Sequence, residues 1–202
     1  MHAGEIECVR GEQVLTICRE LTVLFWIAHE IFWAANSRGN KEAELKGKTL
    51  PRLVALAAIL LGFALVYAPW FSVGFLAVKV TPETAFSGIA GVLLCGAGIL
   101  FTWWSRQTLG TNWSGAVTIK KDHELIQRGP YLIVRHPIYA GSLIALLGSA
   151  VAMSELKGFL AVVLVFVGLL KKINEEEIVL ESHFSEYRLY KLRVKKLIPF
   201  IY

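Results

Sequence analysis

Charged side chains are scarce in this chain: Asp, Glu, Lys and Arg make up 18% of its 202 residues, against about 25% in an ordinary soluble domain. Three stretches, residues 53–78, 84–105 and 137–154, lack them altogether. About 20 apolar residues in a helix cross the hydrocarbon of a bilayer, so this pattern argues against a soluble domain and predicts three membrane helices. Cysteine is also sparse. Cys8, Cys18 and Cys95 have neither an even-numbered framework nor metal-ligand spacing, which speaks against a disulfide scaffold and against a metal centre. No basic segment precedes an apolar core with a small-residue cleavage site, so no removable signal peptide is expected. The glycines Gly88, Gly91, Gly96, Gly98, Gly141 and Gly148 lie inside apolar runs rather than after a strand. They predict close helix packing and not a phosphate loop.

Two further segments complete the count. Residues 158–170 are uncharged up to Lys171 and Lys172, whose long stems can reach the interface. Residues 14–35 are apolar but interrupted by Arg19, Glu20, His29 and Glu30. The expected fold class is therefore an all-α, polytopic integral membrane protein of about five transmembrane helices, forming one membrane domain over 1–202, with scaffold helices in 1–105 and a catalytic half in 106–202. Of the 21 Lys and Arg residues, 17 fall in the 38–52 loop, the 106–135 loop and the tail from 171. By the positive-inside rule these face the cytoplasm, with the N-terminus outside and the C-terminus inside. The net charge of +5 suits an anionic leaflet and membrane lipids rather than nucleic acid.

The chemistry is expected where a polar, ring-rich loop meets an apolar run, over Gly129-Pro130-Tyr131 to Arg135-His136-Pro137-Ile138-Tyr139. Polar groups are costly in a bilayer, so their crowding at its boundary marks a site. A turn at 154–157 folds the last two apolar segments into an antiparallel hairpin, which brings 123–139 near 172–190. From Ile173 onward Leu180, Phe184 and Tyr187 form a helical stripe. Glu176 replaces an apolar residue on that face, with Lys172 one turn before it. Glu175 and Glu177 are expected on a solvated flank. Arg135 is either an anchor to lipid headgroups or a donor to a bound carboxylate. His29 and Glu30 are expected at the interface, and Trp103, Trp104 and Trp113 in an aromatic belt.

These motifs, His123-Glu124-Leu125-Ile126, Gly129-Pro130-Tyr131, Arg135-His136-Pro137 with Tyr139 and Gly141, Glu176-Glu177, and Pro199-Phe200-Ile201, stand in an order that resembles the isoprenylcysteine carboxyl methyltransferase family, related to membrane phospholipid methyltransferases. The resemblance covers about 123–202. It implies S-adenosylmethionine as cofactor, held by His123, Glu124, Leu125, Ile126, Tyr131, His136, Pro137, Ile138, Tyr139 and Glu176. It also implies a cation at Lys172, where the eukaryotic enzymes have Arg, that grips a substrate carboxylate. The implied substrate is lipophilic and reaches the site from the bilayer. Other readings are N-methylation of an aminophospholipid, a sterol-reductase-like enzyme using NADPH, and a non-catalytic binding protein.

Overall fold

The computed structural model describes residues 3–36, 43–46, 48–114, 118–120, 124–199 and 201. Five long helices dominate: α1 (Ala3–Asn36), α2 (Thr49–Tyr67), α3 (Ala85–Leu109), α4 (Pro137–Met153) and α5 (Leu156–His183). A short α6 (Tyr187–Arg193) follows in the tail. Two short strands, β1 (Ala43–Lys46) and β2 (Thr118–Lys120), pair antiparallel. The fold is helical apart from this ladder, which zips two loops together by backbone hydrogen bonds that an apolar-run analysis does not detect. Two helices, α2 and the stretch Ala85–Asn112, are long and apolar enough to cross a membrane, and α4 is a shorter apolar helix.

Three boundaries differ from the sequence expectation. The uncharged run 53–78 is not one helix, because Pro69 disfavours the α conformation at the residue before it and cannot donate a hydrogen bond to continue the helix. Ala68 is extended (φ −79°, ψ 122°), and two 3-10 turns, Pro69–Phe71 and Gly74–Ala77, carry the chain onward. α1 begins well before residue 14. α5 runs through Lys171 and Lys172 without a break, so the membrane-like segment and the acidic stripe share one rod.

Glycines set the packing. α3 and α4 touch backbone to backbone: a Cβ on Gly91 would sit 2.7 Å from the Ala152 nitrogen, and one on Gly141 would sit 2.7 Å from the Gly98 oxygen. α2 nestles on α5 at Gly62 against Val165 and at Gly168 against Ala58. α1 lies on α3 through Gly88, which faces Leu15 and Cys18, and Gly96, which faces Phe25. The order around the bundle is thus α1, α3, α4, α5, α2. α1 and α2 meet where Trp26 abuts Phe63 (ring centroids 4.7 Å apart) and where the Tyr67 hydroxyl bonds to Thr22 (3.2 Å) and Ser149 (2.9 Å). Trp26 Nε1 donates to the same Ser149 oxygen at 3.0 Å.

The end of the bundle at the α4–α5 turn is closed by ions. Arg19 pairs with Glu83 (2.5 Å), Lys79 with Glu83 (3.0 Å) and Glu155 (3.1 Å), and the buried Lys157 with Glu155 (3.3 Å). At that turn Ser154 takes the left-handed conformation (φ 65°), and the expected antiparallel hairpin of α4 and α5 forms. At the opposite end it brings the 124–139 segment against residues 172–190.

Candidate functional site

At that opposite end the backbone prepares the loop before α4. Gly129 adopts φ +58°, a conformation that glycine alone takes without strain, and launches a 3-10 turn over Gly129–Leu132. Pro137 occupies the first turn of α4, where its missing N–H is no loss. The loop is then tied to the tail. Arg135 N donates to Lys195 O (2.8 Å), His136 N to Lys196 O (3.1 Å), and the Tyr190 hydroxyl to Tyr131 O (2.6 Å).

Side chains complete the join. The buried Arg135 donates to Glu177 Oε1 through Nε (2.8 Å) and Nη2 (2.7 Å), and through Nη1 to the carbonyls of Lys191 and Val194. Most of its donors are therefore given to protein partners, which turns the side chain into the protein at the border of the cavity rather than out toward headgroups. Glu177 and Glu175 are both buried, contrary to the solvated flank expected of them. Glu175 accepts the Lys48 N–H at 3.0 Å, and Glu177 is the counter-ion that makes a buried Arg135 tolerable. Burial opposes ionisation of Glu177, but hydrogen bonds and positive charge from His136 and Arg135 overcome it and hold the carboxyl down at about 2.

His136 stands between the two acidic neighbours, Nε2 at 3.2 Å from Glu177 Oε1 and Nδ1 at 3.6 Å from Glu176 Oε2. Glu176 accepts the Tyr139 hydroxyl at 2.6 Å and lies 3.6 Å from Lys172 Nζ, which sits 5.0 Å from the centroid of the Tyr139 ring. Lys172 is thus turned inward rather than reaching to an interface. Burial, reinforced by Tyr190 and Glu176, raises the Tyr131 phenol above its usual range, so it stays protonated.

These groups line a cavity of ≈ 430 Å³, within the range of small-molecule sites. Glu124, Leu125, Ile126, Tyr131, His136, Pro137, Ile138, Tyr139, Lys172 and Glu176 all face it. His123 lies outside the described residues. The residues present suit a sulfonium cofactor: two tyrosine rings and a carboxylate attract its cation. The first amides of α4, at Ile138 and Tyr139, have no intrahelical acceptor and are open to an anion.

The opposite wall departs from the sequence expectation. α1 contributes Trp26, His29 and Trp33, and α2 contributes Arg52, Ile59 and Phe63. Trp26, His29, Trp33 and Trp113 form a ladder of rings with successive centroids 5.4, 4.9 and 5.4 Å apart. His29 is therefore buried in the cavity wall, and its Nδ1 has no hydrogen-bond partner among the described residues. An unsatisfied buried group of this kind costs about 1–3 kcal/mol. Glu30 is exposed, lining both this cavity and an apolar groove between α1 and α2. Trp103 stacks on Phe32 (4.9 Å), and Trp113 packs on Trp33 and under Arg106 (4.7 Å). Of the expected belt, Trp104 is the residue that stands exposed. The sequence signal for this wall is the pair of polar residues His29 and Glu30 inside an apolar segment; nothing marks Trp33 or Phe63.

The sequence pattern of a phospholipid methyltransferase family matches residues 86–187. That span takes in α3, α4, α5 and the loop carrying Tyr131 and His136, and leaves α1 and α2 outside. No curated protein matches the chain.

Proposed function

From the premise that this chain belongs to the phospholipid methyltransferase family, we propose that it is a membrane methyltransferase that uses S-adenosylmethionine to methylate a lipophilic acceptor. The observation that carries the reading is Glu176, held by Tyr139 at 2.6 Å and facing a ring-lined cavity. When bound, the cofactor supplies an activated methyl on a sulfonium.

The chain's residues supply position and charge. Tyr131, Tyr139 and Glu176 would hold the cation, and His136, fixed between Glu176 and Glu177, orients the Glu176 carboxylate for it. Glu124, Leu125 and Ile126 border the same side, with His123 preceding them in the motif. An ionised carboxylate needs no base to be methylated, so positioning and exclusion of water suffice. Lys172 is placed to grip such an anion, and its charge disfavours a cationic amine beside it. We therefore favour O-methylation of a lipophilic, prenylcysteine-like carboxylate. The apolar floor of Trp26, Phe63, Leu146 and Val165 accommodates the acceptor's tail, which reaches it from the bilayer through the groove between α1 and α2. We read all five long helices as spans, and the positive-inside rule applied to the basic loops and tail then supports a site facing the cytoplasm.

N-methylation of an aminophospholipid is the second reading. The family description favours it, and Glu176 could accept the amine's proton. Incubation with cofactor carrying a tritiated methyl separates the two. A base-labile product identifies an ester, and a base-stable product together with a rate that rises as the amine deprotonates identifies N-methylation. Failure of the protein to bind S-adenosylmethionine, or preference for NADPH, would overturn both.

A further inference from the structure

The tail that closes the cavity has two unlike faces. Inward, Tyr187, Tyr190, Val194 and Leu197 are buried, and the carbonyls of Lys191, Val194, Lys195 and Lys196 accept hydrogen bonds from Arg135 and His136. Lys196 adds bonds to Asn174 (2.8 Å) and Glu177 (3.5 Å). Outward, Leu192 is 79% and Ile201 76% exposed, with Leu189 and Ile198 also open. Exposed Arg188, Arg193 and Lys195 are interleaved with them.

We propose that the segment 187–199, with Ile201, is an interfacial clamp: its outer face docks on an anionic lipid surface, and docking tightens its inner face on the loop that holds the cofactor. Leucine and isoleucine interleaved with arginine and lysine form the composition that partitions into the headgroup region of acidic membranes. A bundle with bilayer-spanning helices keeps its tail within reach of that surface. The coupling runs through Arg135. The tail cannot lift without stripping Arg135 and His136 of their carbonyl partners, and His136 positions Glu176. Bound lipid therefore favours the state in which the cofactor site is assembled, and bound cofactor favours docking by the same factor. This inference rests on the cofactor reading above.

The test uses the full chain in vesicles of phosphatidylcholine and in vesicles of an equal mixture with phosphatidylglycerol. A bimane probe on Leu192→Cys, in a Cys8→Ser background, reports lipid contact, and isothermal titration reports S-adenosylmethionine affinity. In the mixed vesicles the probe emission should shift to the blue and the dissociation constant should fall about fivefold or more, both effects shrinking as salt is raised. Leu189→Ser with Leu192→Ser should abolish the lipid effect while keeping the affinity measured in phosphatidylcholine. Equal affinities in the two vesicles, or a probe that stays in water in both, would overturn the proposal. A blue shift with no cofactor binding in either vesicle would defeat the cofactor reading and the coupling with it.

Discussion

The two walls of the cavity are built on opposite terms. On the side of α4, α5 and the tail, the ionic groups are partnered: Arg135 with Glu177, His136 with both glutamates, Lys172 with Glu176. On the side of α1 and α2 the wall is rings and aliphatic carbons, with a histidine nitrogen left unpaired and Glu30 and Arg52 outside any ion pair among the described residues. The ionic groups of the first wall lie within the segment that the family pattern matches, whereas the tail beyond Tyr187 and most of the second wall lie outside it. A wall whose charged groups are already paired is set before anything binds, which suits a ligand of fixed chemistry, although the Tyr187 hydroxyl on this side also has no hydrogen-bond partner among the described residues. A wall with an unmet hydrogen-bonding group can be completed by a ligand, which is the part the proposed acceptor would play.

The contrast breaks most severely at Glu177. Glu177→Gln should leave the Arg135 charge uncompensated and cost about 3–5 kcal/mol of stability, measurable as a lower denaturant midpoint. Because its folded pKa lies below the ordinary value of about 4.3, the carboxylate's contribution is complete above that value and is lost as pH falls toward about 2. Acid loss of structure in that window should be blunted in the variant. Next in size is Glu176→Gln, which removes a charged partner of the proposed cofactor and should weaken its binding by about 1.5–3 kcal/mol, while unfolding shifts little.

The α1 wall should respond with the opposite sign. His29→Leu removes an unsatisfied group and should raise the stability of the free protein by about 1 kcal/mol. It should also raise the KM for acceptor roughly threefold to tenfold and leave S-adenosylmethionine affinity unchanged. A fall in cofactor affinity would assign the ring ladder to the cofactor. The smallest effect is expected from Trp33→Phe, which keeps a ring face against His29 and should change acceptor KM by about twofold at most.

Much of the α4–α5 side of the cavity is legible in the sequence, because its groups lie in two short segments whose adjacency follows from one hairpin. Tyr139 and Lys172 meet Glu176 as the stripe and the turn at 154–157 predict. The misplacement of Glu175 and Glu177 has a specific cause. A stripe drawn from Ile173 and Leu180 describes one helix face, whereas α5 is covered on several sides, by Lys48 and by the Arg135 loop together with the tail. The partners that turn Arg135 inward include the tail carbonyls, which carry no side-chain signal. The α1 wall is harder to foresee. Trp33 reaches the cavity only because Gly88 and Gly96 let α1 settle on α3, and the same ring in another register would face lipid. The small β1–β2 ladder is illegible for a similar reason, since its strands are short, polar and distant in sequence.

The backbone contact along Gly91, Gly98, Gly141 and Gly148 also limits how the molecule can breathe. Two helices meshed at that range have no side-chain cushion, so sliding or tilting one over the other means climbing over the next peptide group. They behave as a single double-thickness post, to which the ion-paired Ser154 turn ties α5. Any widening that admits a bulky tail must then fall to the seam between α1 and α2, where contact is confined to one end. An opening there would work like a book from its bound edge, with the cluster of Thr22, Trp26, Tyr67 and Ser149 as the spine.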